Sequence, residues 1–155
     1  RATGVRQSAW SEKLVDVGGR RLYIKCSGET REDMPVVVMD AGMGNTSDVW
    51  SLVQPNVAQF TRVCSYDRAG LGKSDRAPKP HTSADIVSDL HDLLANAEIN
   101  PPYVLIGHSL GGMNARLYSS KYANEVVGMV LVDSTHEDEN DRMLALMPPG
   151  DIEEG

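Results

Sequence analysis

The sequence of 155 residues predicts an α/β fold with a mostly parallel sheet of about six strands and flanking helices. Three observations predict it. The nearly continuous β-branched run at 35–40 is typical of a strand covered on both faces of a parallel sheet. Apolar residues in 84–97 recur at helical spacing, which indicates an amphipathic helix. Strand and helix patterns then alternate along the chain, as they do in proteins with a parallel sheet covered by helices.

The periodicity of the chain predicts six strands and three helices. The strands are short alternating or apolar runs: 12–17, 20–26, 35–40, 61–66, 103–107 and 126–133. The helices carry a stripe of apolar or small residues: 47–57, 84–97 and 111–118. Gly18-Gly19 is a permissive hairpin turn between the first two strands. Ser47 is expected to cap the first helix, although Pro55 is unfavourable in a helix interior.

The charge and hydropathy of the chain argue against nucleic acid binding and against a membrane span. The chain has 22 acidic and 15 basic residues, a formal charge of -7, and no run of lysine or arginine. Such a surface repels phosphate backbones and anionic lipid, so we expect no nucleic acid partner. The most apolar runs are far shorter than the ~20 residues that span a bilayer, so no membrane span is expected.

The stretch Gly107-His108-Ser109-Leu110-Gly111 carries the chemistry, since it fits the pattern G-x-S-x-G. An apolar strand precedes it and a helix follows, which is the context that this motif requires. The sharp turn exposes the serine, so Ser109 is the candidate nucleophile. The N–H of Leu110, at the start of the following helix, can stabilise an oxyanion.

Two nucleotide-binding motifs are rejected. Gly72-Lys73-Ser74 resembles the end of a P-loop, but the first glycine of that motif is replaced by Asp67, whose carboxylate would repel phosphate. Gly42-Met43-Gly44 follows a strand as in a dinucleotide fingerprint, but Ser47 stands where the third glycine is required. No cofactor and no metal are therefore expected.

With these motifs the chain resembles the α/β-hydrolase superfamily, and more closely its small bacterial esterase-type members. The stretches 66–75 and 130–133 look like the turn after the family's fourth strand and its sixth strand. The loop at 40–44 matches the family's oxyanion loop, which implies that the N–H of Met43 is the second oxyanion donor. Ala41-Gly42 replaces the usual His-Gly pair there.

The family places its catalytic acid and then its histidine after the nucleophile. His136 lies too early and is interpreted as a solvated loop residue. Asp133 is a candidate acid, or a strand-terminal residue that caps a turn. The resemblance thus predicts that residues 1–155 are the N-terminal part of a hydrolase, with a cap or lid beginning at 137–155. The C-terminal portion, as a second polypeptide chain or unobserved, would supply the missing residues and cover the apolar edge strand 126–133, without which this part is not expected to be stable.

Cys26 and Cys64 fall in the second and fourth strands, which are neighbours in the family's sheet order. Either a disulfide or two buried thiols fits this placement. A disulfide would favour a secreted or periplasmic location over the cytoplasm.

The leading hypothesis is a serine hydrolase that cleaves a small-molecule carboxylic ester or related acyl substrate. Ser109 attacks the carbonyl, and the N–H groups of Met43 and Leu110 bind the oxyanion. The alternative is a non-catalytic binding protein with the α/β-hydrolase fold, which retains the serine turn as scaffold.

Overall fold

The computed structural model describes residues 10–146, which form a six-stranded sheet in the order β1-β2-β4-β3-β5-β6. The strands are β1 (Ser11–Asp16), β2 (Arg21–Ser27), β3 (Val36–Asp40), β4 (Val63–Tyr66), β5 (Tyr103–His108) and β6 (Val126–Val132). The helices are α1 (Gln54–Val57), α2 (Ser83–Asn96), α3 (Leu110–Lys121) and α4 (Glu139–Leu146), with 3₁₀ turns at Ser47–Trp50 and Ala123–Glu125. β1 and β2 pair antiparallel, as do β2 and β4, and the other pairs are parallel. The prediction of a mostly parallel sheet of about six strands is confirmed.

The expectation of one helix over 47–57 is wrong. The chain instead forms a 3₁₀ turn capped by Thr46, whose hydroxyl accepts from the Asp48 N–H, and then the separate helix α1. Pro55 lies in the first turn of α1, where its missing N–H and fixed φ cost nothing. The predicted cap Ser47 uses its backbone N–H to bind the carboxylate of Asp67 at 2.8 Å.

The predicted helix at 84–97 is present as α2. Its start is fixed by a capping box, in which the Thr82 hydroxyl accepts from the Asp85 N–H and the Asp85 carboxylate accepts from the Thr82 N–H. Its apolar side chains are buried against the sheet: Val87, Leu90, Leu93 and Leu94. The helical spacing seen in the sequence therefore corresponds to one buried face.

The core has two parts, one on each face of the sheet. Val36 and Val38 of β3 pack in the cluster under α2 and α3, whereas Val37 and Met39 pack with Trp50 and Ala58 on the other face. Successive side chains of a strand point to opposite faces, so β3, buried along its whole length, serves both clusters. This is the arrangement that the continuous apolar run predicted.

Strand β6 is the edge of the sheet among the described residues, and it pairs only with β5. Its apolar side chains are exposed on both faces: Val127, Met129, Val130, Leu131 and Val132. Native proteins seldom leave a long apolar edge strand uncovered, since unpaired backbone groups and apolar side chains promote association. After β6 the chain forms α4, inside the segment predicted as the start of a cap; residues 147–155 lie outside the described part.

Cys26 and Cys64 form a disulfide in the structure. They lie directly opposite each other on β2 and β4, with a Cα–Cα distance of 4.1 Å. Both are buried beneath α2, so the bridge joins two strands inside the larger core cluster. The part of the chain described here has no free cysteine.

Candidate active site

The ends of β3 and β5 bring the two predicted site segments to the same edge of the sheet. In the parallel pairing Asp40 lies opposite Gly107, so the loop after β3 and the turn after β5 begin at the same level. The carboxyl ends of parallel strands are where ligand sites form in open α/β sheets. Met43, Ser109 and Leu110 all follow these two strand ends.

Ser109 occupies the turn between β5 and α3 with φ 52 and ψ -120. A non-glycine residue in this region is strained, and such strain persists only where the surroundings impose it. Three backbone hydrogen bonds hold it: its N–H donates to Val132 O at 3.1 Å, and its carbonyl oxygen accepts from Gly112 N at 2.9 Å and Thr135 N at 3.1 Å. The turn is thus tied to β6 and to the segment after it.

The glycines around Ser109 are required by close backbone contacts. A Cβ on Gly107 would lie 2.3 Å from Gly111 O, and a Cβ on Gly111 would lie 2.2 Å from Asp40 O. A Cβ on Gly112 would lie 2.2 Å from the Ser134 Oγ. The sequence predicted that glycines let strand and helix approach each other; the structure adds that Gly111 also contacts the end of β3.

Both predicted oxyanion donors lie beside this turn. Leu110 is the first residue of α3, so its N–H has no partner within the helix. Met43 follows Gly42 in the β3 loop, and no acceptor for the Met43 N–H is found within residues 10–146. The loop carrying Met43 contacts the turn through Gly111, which packs against the carbonyl oxygens of Asp40 and Ala41. The two N–H groups therefore belong to adjacent segments of the chain.

A buried polar network lies under this loop, and the sequence analysis did not predict it. Asp40 Oδ1 accepts from Arg68 Nη1 at 2.5 Å, and Oδ2 accepts from the Tyr66 hydroxyl and Asn114 Nδ2, each at 3.1 Å. Burial, and next the Asp40 charge, raise the pKa of Tyr66 well above its usual value, so the phenol stays a neutral donor. The signal in the sequence was an aspartate ending an otherwise apolar strand.

Asp67 stabilises the turn after β4. Its carboxylate accepts from Ser47 N at 2.8 Å and from Lys73 N at 3.0 Å, and a Cβ on Gly72 would lie 2.1 Å from Asp67 Oδ2. The glycine-containing turn that superficially resembles a P-loop therefore wraps around a carboxylate of the chain itself. It also ties the β4 turn to the segment after Met43.

The segment after β6 contacts Ser109 through Thr135, which no pattern in the sequence singled out. The Thr135 Oγ1 lies 3.3 Å from the Ser109 Oγ, within hydrogen-bond distance. Arg116 of α3 anchors this segment by a bidentate ion pair with Glu137. In the sequence, the one signal of this contact was the position of residues 134–137 directly after the strand predicted at 126–133.

The structure does not bring the candidate acid or a histidine to Ser109. Asp133 is exposed, with φ 43, and makes no hydrogen bond within the described part of the chain. The His136 Nδ1 accepts from Asp138 N at 3.1 Å inside its own turn. His108 packs beside Gly42, since a Cβ there would lie 3.1 Å from the His108 Nδ1. Among residues 10–146, Thr135 provides the only hydrogen bond to the Ser109 hydroxyl.

Residues 10–146 contain neither a membrane-spanning helix nor a cluster of potential metal ligands. No helix there is long and apolar enough to cross a membrane. No cluster of three or more histidine, cysteine or acidic side chains there could hold a metal ion.

Comparison with known proteins agrees with this geometry. The family model for the alpha/beta hydrolase fold matches residues 35–152. The chain belongs to the alpha/beta hydrolase family. The matched region begins before β3 and includes Ser109, the loop that carries Met43 and the segment after β6.

Relatives of this alpha/beta hydrolase include uncharacterized and hydrolytic proteins. It is 32% identical over 131 residues to the uncharacterized protein YqjL of Bacillus subtilis, covering 82% of this chain and 49% of that protein. It is 32% identical over 114 residues to the putative carbamate hydrolase RutD of Yersinia enterocolitica, covering 73% of this chain and 41% of that protein. The chain spans about half the length of these curated relatives, or less.

Solved structures show the same fold. Cfl2 from Burkholderia cenocepacia matches with a TM-score of 0.71 and 25% identity, over 86% of this chain and 44% of that one. A bromoperoxidase from Bacillus anthracis matches with a TM-score of 0.71 and 25% identity, over 83% of this chain and 48% of that one. The alpha/beta hydrolase fold is thus shared with proteins of differing activity. The fold alone therefore does not specify the reaction, which depends on the residues of the site.

Proposed function

We propose that this alpha/beta hydrolase is a serine hydrolase that cleaves a carboxylic ester or a related acyl substrate. The observation that carries the proposal is the conformation of Ser109, held at φ 52 in a turn that glycine contacts and three backbone hydrogen bonds impose. A strained serine between a strand and a helix is the feature that presents a nucleophile in this fold. The N–H groups of Leu110 and Met43, which have no hydrogen-bond acceptor within residues 10–146, would stabilise the oxyanion.

The reaction follows from these groups. The Ser109 Oγ attacks the carbonyl carbon, its proton passes to a histidine base, and the carbonyl oxygen becomes an oxyanion. The Leu110 and Met43 N–H groups donate to that oxygen. Collapse of the intermediate expels the alcohol, which takes the proton from the histidine, and leaves an acyl ester on Ser109. Water, deprotonated by the same base, then releases the carboxylic acid and restores the serine.

The base and its orienting acid are proposed to come from a C-terminal portion of the same hydrolase, which is either a second polypeptide chain or further residues of this one. This proposal is supported by the lack of any histidine at Ser109 within residues 10–146 and by the apolar edge of β6. The chain covers only 49% and 41% of the length of the two relatives. In this proposal 137–155 begins a cap over the site, and α4 is its first helix.

A denaturing gel and intact mass of the native protein test the second chain. The expected result is either a companion polypeptide that copurifies with this chain or a single polypeptide heavier than 16.9 kDa. A monomeric, folded 16.9 kDa chain with no companion would contradict this part of the proposal.

A non-catalytic binding protein is the second candidate. One observation favours it: the Ser109 hydroxyl contacts a threonine hydroxyl rather than a base. A serine without a base is a poor nucleophile, and the turn would then be only a scaffold.

Covalent labelling separates the two candidates. A fluorophosphonate probe applied to the native protein should form an adduct on Ser109, identified by peptide mass spectrometry, and Ser109→Ala should abolish it. Ser119→Ala is the matched control, since the Ser119 hydroxyl only donates to Ala115 O on α3. If the folded native protein with all its chains acquires no adduct on Ser109, the binding protein is favoured instead.

The disulfide between Cys26 and Cys64 supports a secreted or periplasmic location as part of the proposal. Fractionation of the source cells, with the protein detected by an antibody, tests it. A protein confined to the cytoplasm would contradict it.

A further inference from the structure

A buried arginine binds the loop that carries the second oxyanion donor. Arg68 follows β4 and is 5% exposed. Its Nη1 donates to the Asp40 carboxylate and to Ala41 O, each at 2.5 Å, and its Nη2 donates to Gly42 O. One side chain therefore contacts three consecutive residues of the β3 loop and holds the direction of two of their carbonyl groups.

The Gly42 carbonyl and the Met43 N–H belong to one peptide unit. In a planar trans peptide these two groups point in opposite directions, so fixing the carbonyl also fixes the N–H. Gly42 O accepts a second hydrogen bond from Asn45 N at 3.1 Å. The Met43 N–H has no acceptor of its own within residues 10–146, so the bonds on the carbonyl side are what orient it.

The arginine is itself held in place. Its charge is paired with Asp40, which is also buried and whose other oxygen accepts from Tyr66 and Asn114. These partners come from β4 and α3, so the network spans the elements that meet under the site. A buried guanidinium without an anionic partner would be strongly unfavourable. The Arg68 guanidinium therefore stays next to Asp40, in one position.

We propose that Arg68 is a positioning residue that, through the Gly42 carbonyl, directs the Met43 N–H toward the oxygen of the tetrahedral intermediate. This inference rests on the proposed hydrolase function. Arginine suits the task because its planar group donates along several fixed directions at once. Lysine has the same charge but cannot bridge a carboxylate and two carbonyl oxygens in the same geometry.

The test is Arg68→Lys in the native protein with all its chains, assayed with a chromogenic ester. The kcat is expected to fall by about 10- to 100-fold while the KM changes by less than about threefold, because an oxyanion contact acts in the transition state. Complete removal of one oxyanion donor lowers kcat by about 10²- to 10³-fold, so the fall in kcat for Arg68→Lys should not exceed this. The affinity for a trifluoromethyl ketone, whose adduct has an oxyanion, should fall in parallel.

Arg20→Lys is the matched control. Arg20 pairs with the buried Asp89, and neither residue contacts the β3 loop. We expect Arg20→Lys to lower the melting temperature with little change in kcat. A wild-type kcat and ketone affinity in Arg68→Lys would overturn the inference, as would an equal fall of both in Arg20→Lys.

The double variant Asp40→Asn and Arg68→Met keeps the inference testable if Arg68→Lys does not fold, because it removes both charges of the buried pair together. It also removes the Arg68 hydrogen bonds to the carbonyl oxygens of Ala41 and Gly42, so a fall in kcat with a nearly unchanged KM is expected. An unchanged kcat in this double variant would then overturn the inference. A native protein that forms no adduct on Ser109 would overturn the proposed function, and this inference with it; an active wild type with an unaffected Arg68→Lys overturns the inference alone.

Discussion

Gly107 and Gly111 contact each other through their backbones across the turn that holds Ser109, so closely that a Cβ on Gly107 would lie 2.3 Å from Gly111 O. Gly111 in turn contacts the carbonyl oxygen of Asp40 at the end of β3. The two glycines of the G-x-S-x-G motif therefore have different structural roles. Gly107 lets α3 approach β5, and Gly111 lets α3 approach the end of β3, which leads into the loop that carries Met43.

The first prediction concerns Gly111→Ala. The added Cβ would lie 2.2 Å from backbone that cannot move freely, so we expect a loss of about 1–3 kcal/mol in the free energy of unfolding, the usual range for overpacking. Chemical denaturation of the native protein measures it. Gly128→Ala is the control, since a Cβ on Gly128 of β6 would make only an ordinary 3.4 Å contact with Val104. Equal stability of the two variants would contradict the contact.

The second prediction compares Ser109→Gly with Ser109→Ala. Both remove the hydroxyl and should abolish turnover, but only glycine adopts φ 52 and ψ -120 without strain. Strain of this kind costs about 1–3 kcal/mol, so Ser109→Gly should melt at a higher temperature than Ser109→Ala. Thermal unfolding followed by circular dichroism measures the difference. If Ser109→Ala melts at the same temperature as Ser109→Gly or higher, the backbone at this position does not strain a residue that carries a Cβ.

The third prediction concerns the disulfide. Thiol titration of the denatured, unreduced protein should detect neither Cys26 nor Cys64 as a free thiol. The bridge joins positions 38 residues apart, and loops of this length are expected to stabilise a fold by about 3–4 kcal/mol. The double variant Cys26→Ala and Cys64→Ala should lose stability of that order in denaturant. Two titratable thiols in the untreated protein would show that the bridge is not formed.

The fourth prediction is a pH dependence at the start of α2. The Thr82 backbone N–H, and next its hydroxyl, lower the pKa of Asp85 from the ordinary value of 3.8. A lowered pKa in the folded state stabilises the fold above 3.8, and this contribution is lost as the pH falls through the lowered value. Asp85→Asn should therefore lower the melting temperature at pH 7.

The difference between wild type and Asp85→Asn should shrink toward zero as the pH is lowered below 3.8. Asp92→Asn is the control, because Asp92 lies inside α2 and caps no backbone group. Melting curves between pH 2 and pH 7 check the trend. A difference that stays constant over this range would exclude the carboxylate as its cause.

Local patterns predicted most of the elements. The buried strands and α2 follow from periodicity, since burial on one or both faces leaves a repeat in the sequence. The first helix was the exception. Whether Pro55 interrupts a helix or starts a new one depends on how the chain packs, and here the Asp67 carboxylate binds the N–H of Ser47, the first residue of a separate 3₁₀ turn.

The site could be predicted only where it is contiguous. Ser109 and Leu110 lie within one pentapeptide whose spacing has a local cause, and Met43 followed from the resemblance of its loop. Thr135 could not be found this way, because its contact with Ser109 depends on β6 pairing beside β5. No local pattern encodes which residue of the next loop faces the serine.

The sequence by itself determined the alternation of strands and helices, the serine turn and the acidic surface, because each depends on residue order, spacing or charge. Only the tertiary structure decided what surrounds Ser109. Arg68 and Asp40 are 28 positions apart, and Ser109 and Thr135 are 26 apart. These pairs meet because parallel strands place their carboxyl ends at one edge of the sheet, a register set by packing of the whole core rather than by any short segment.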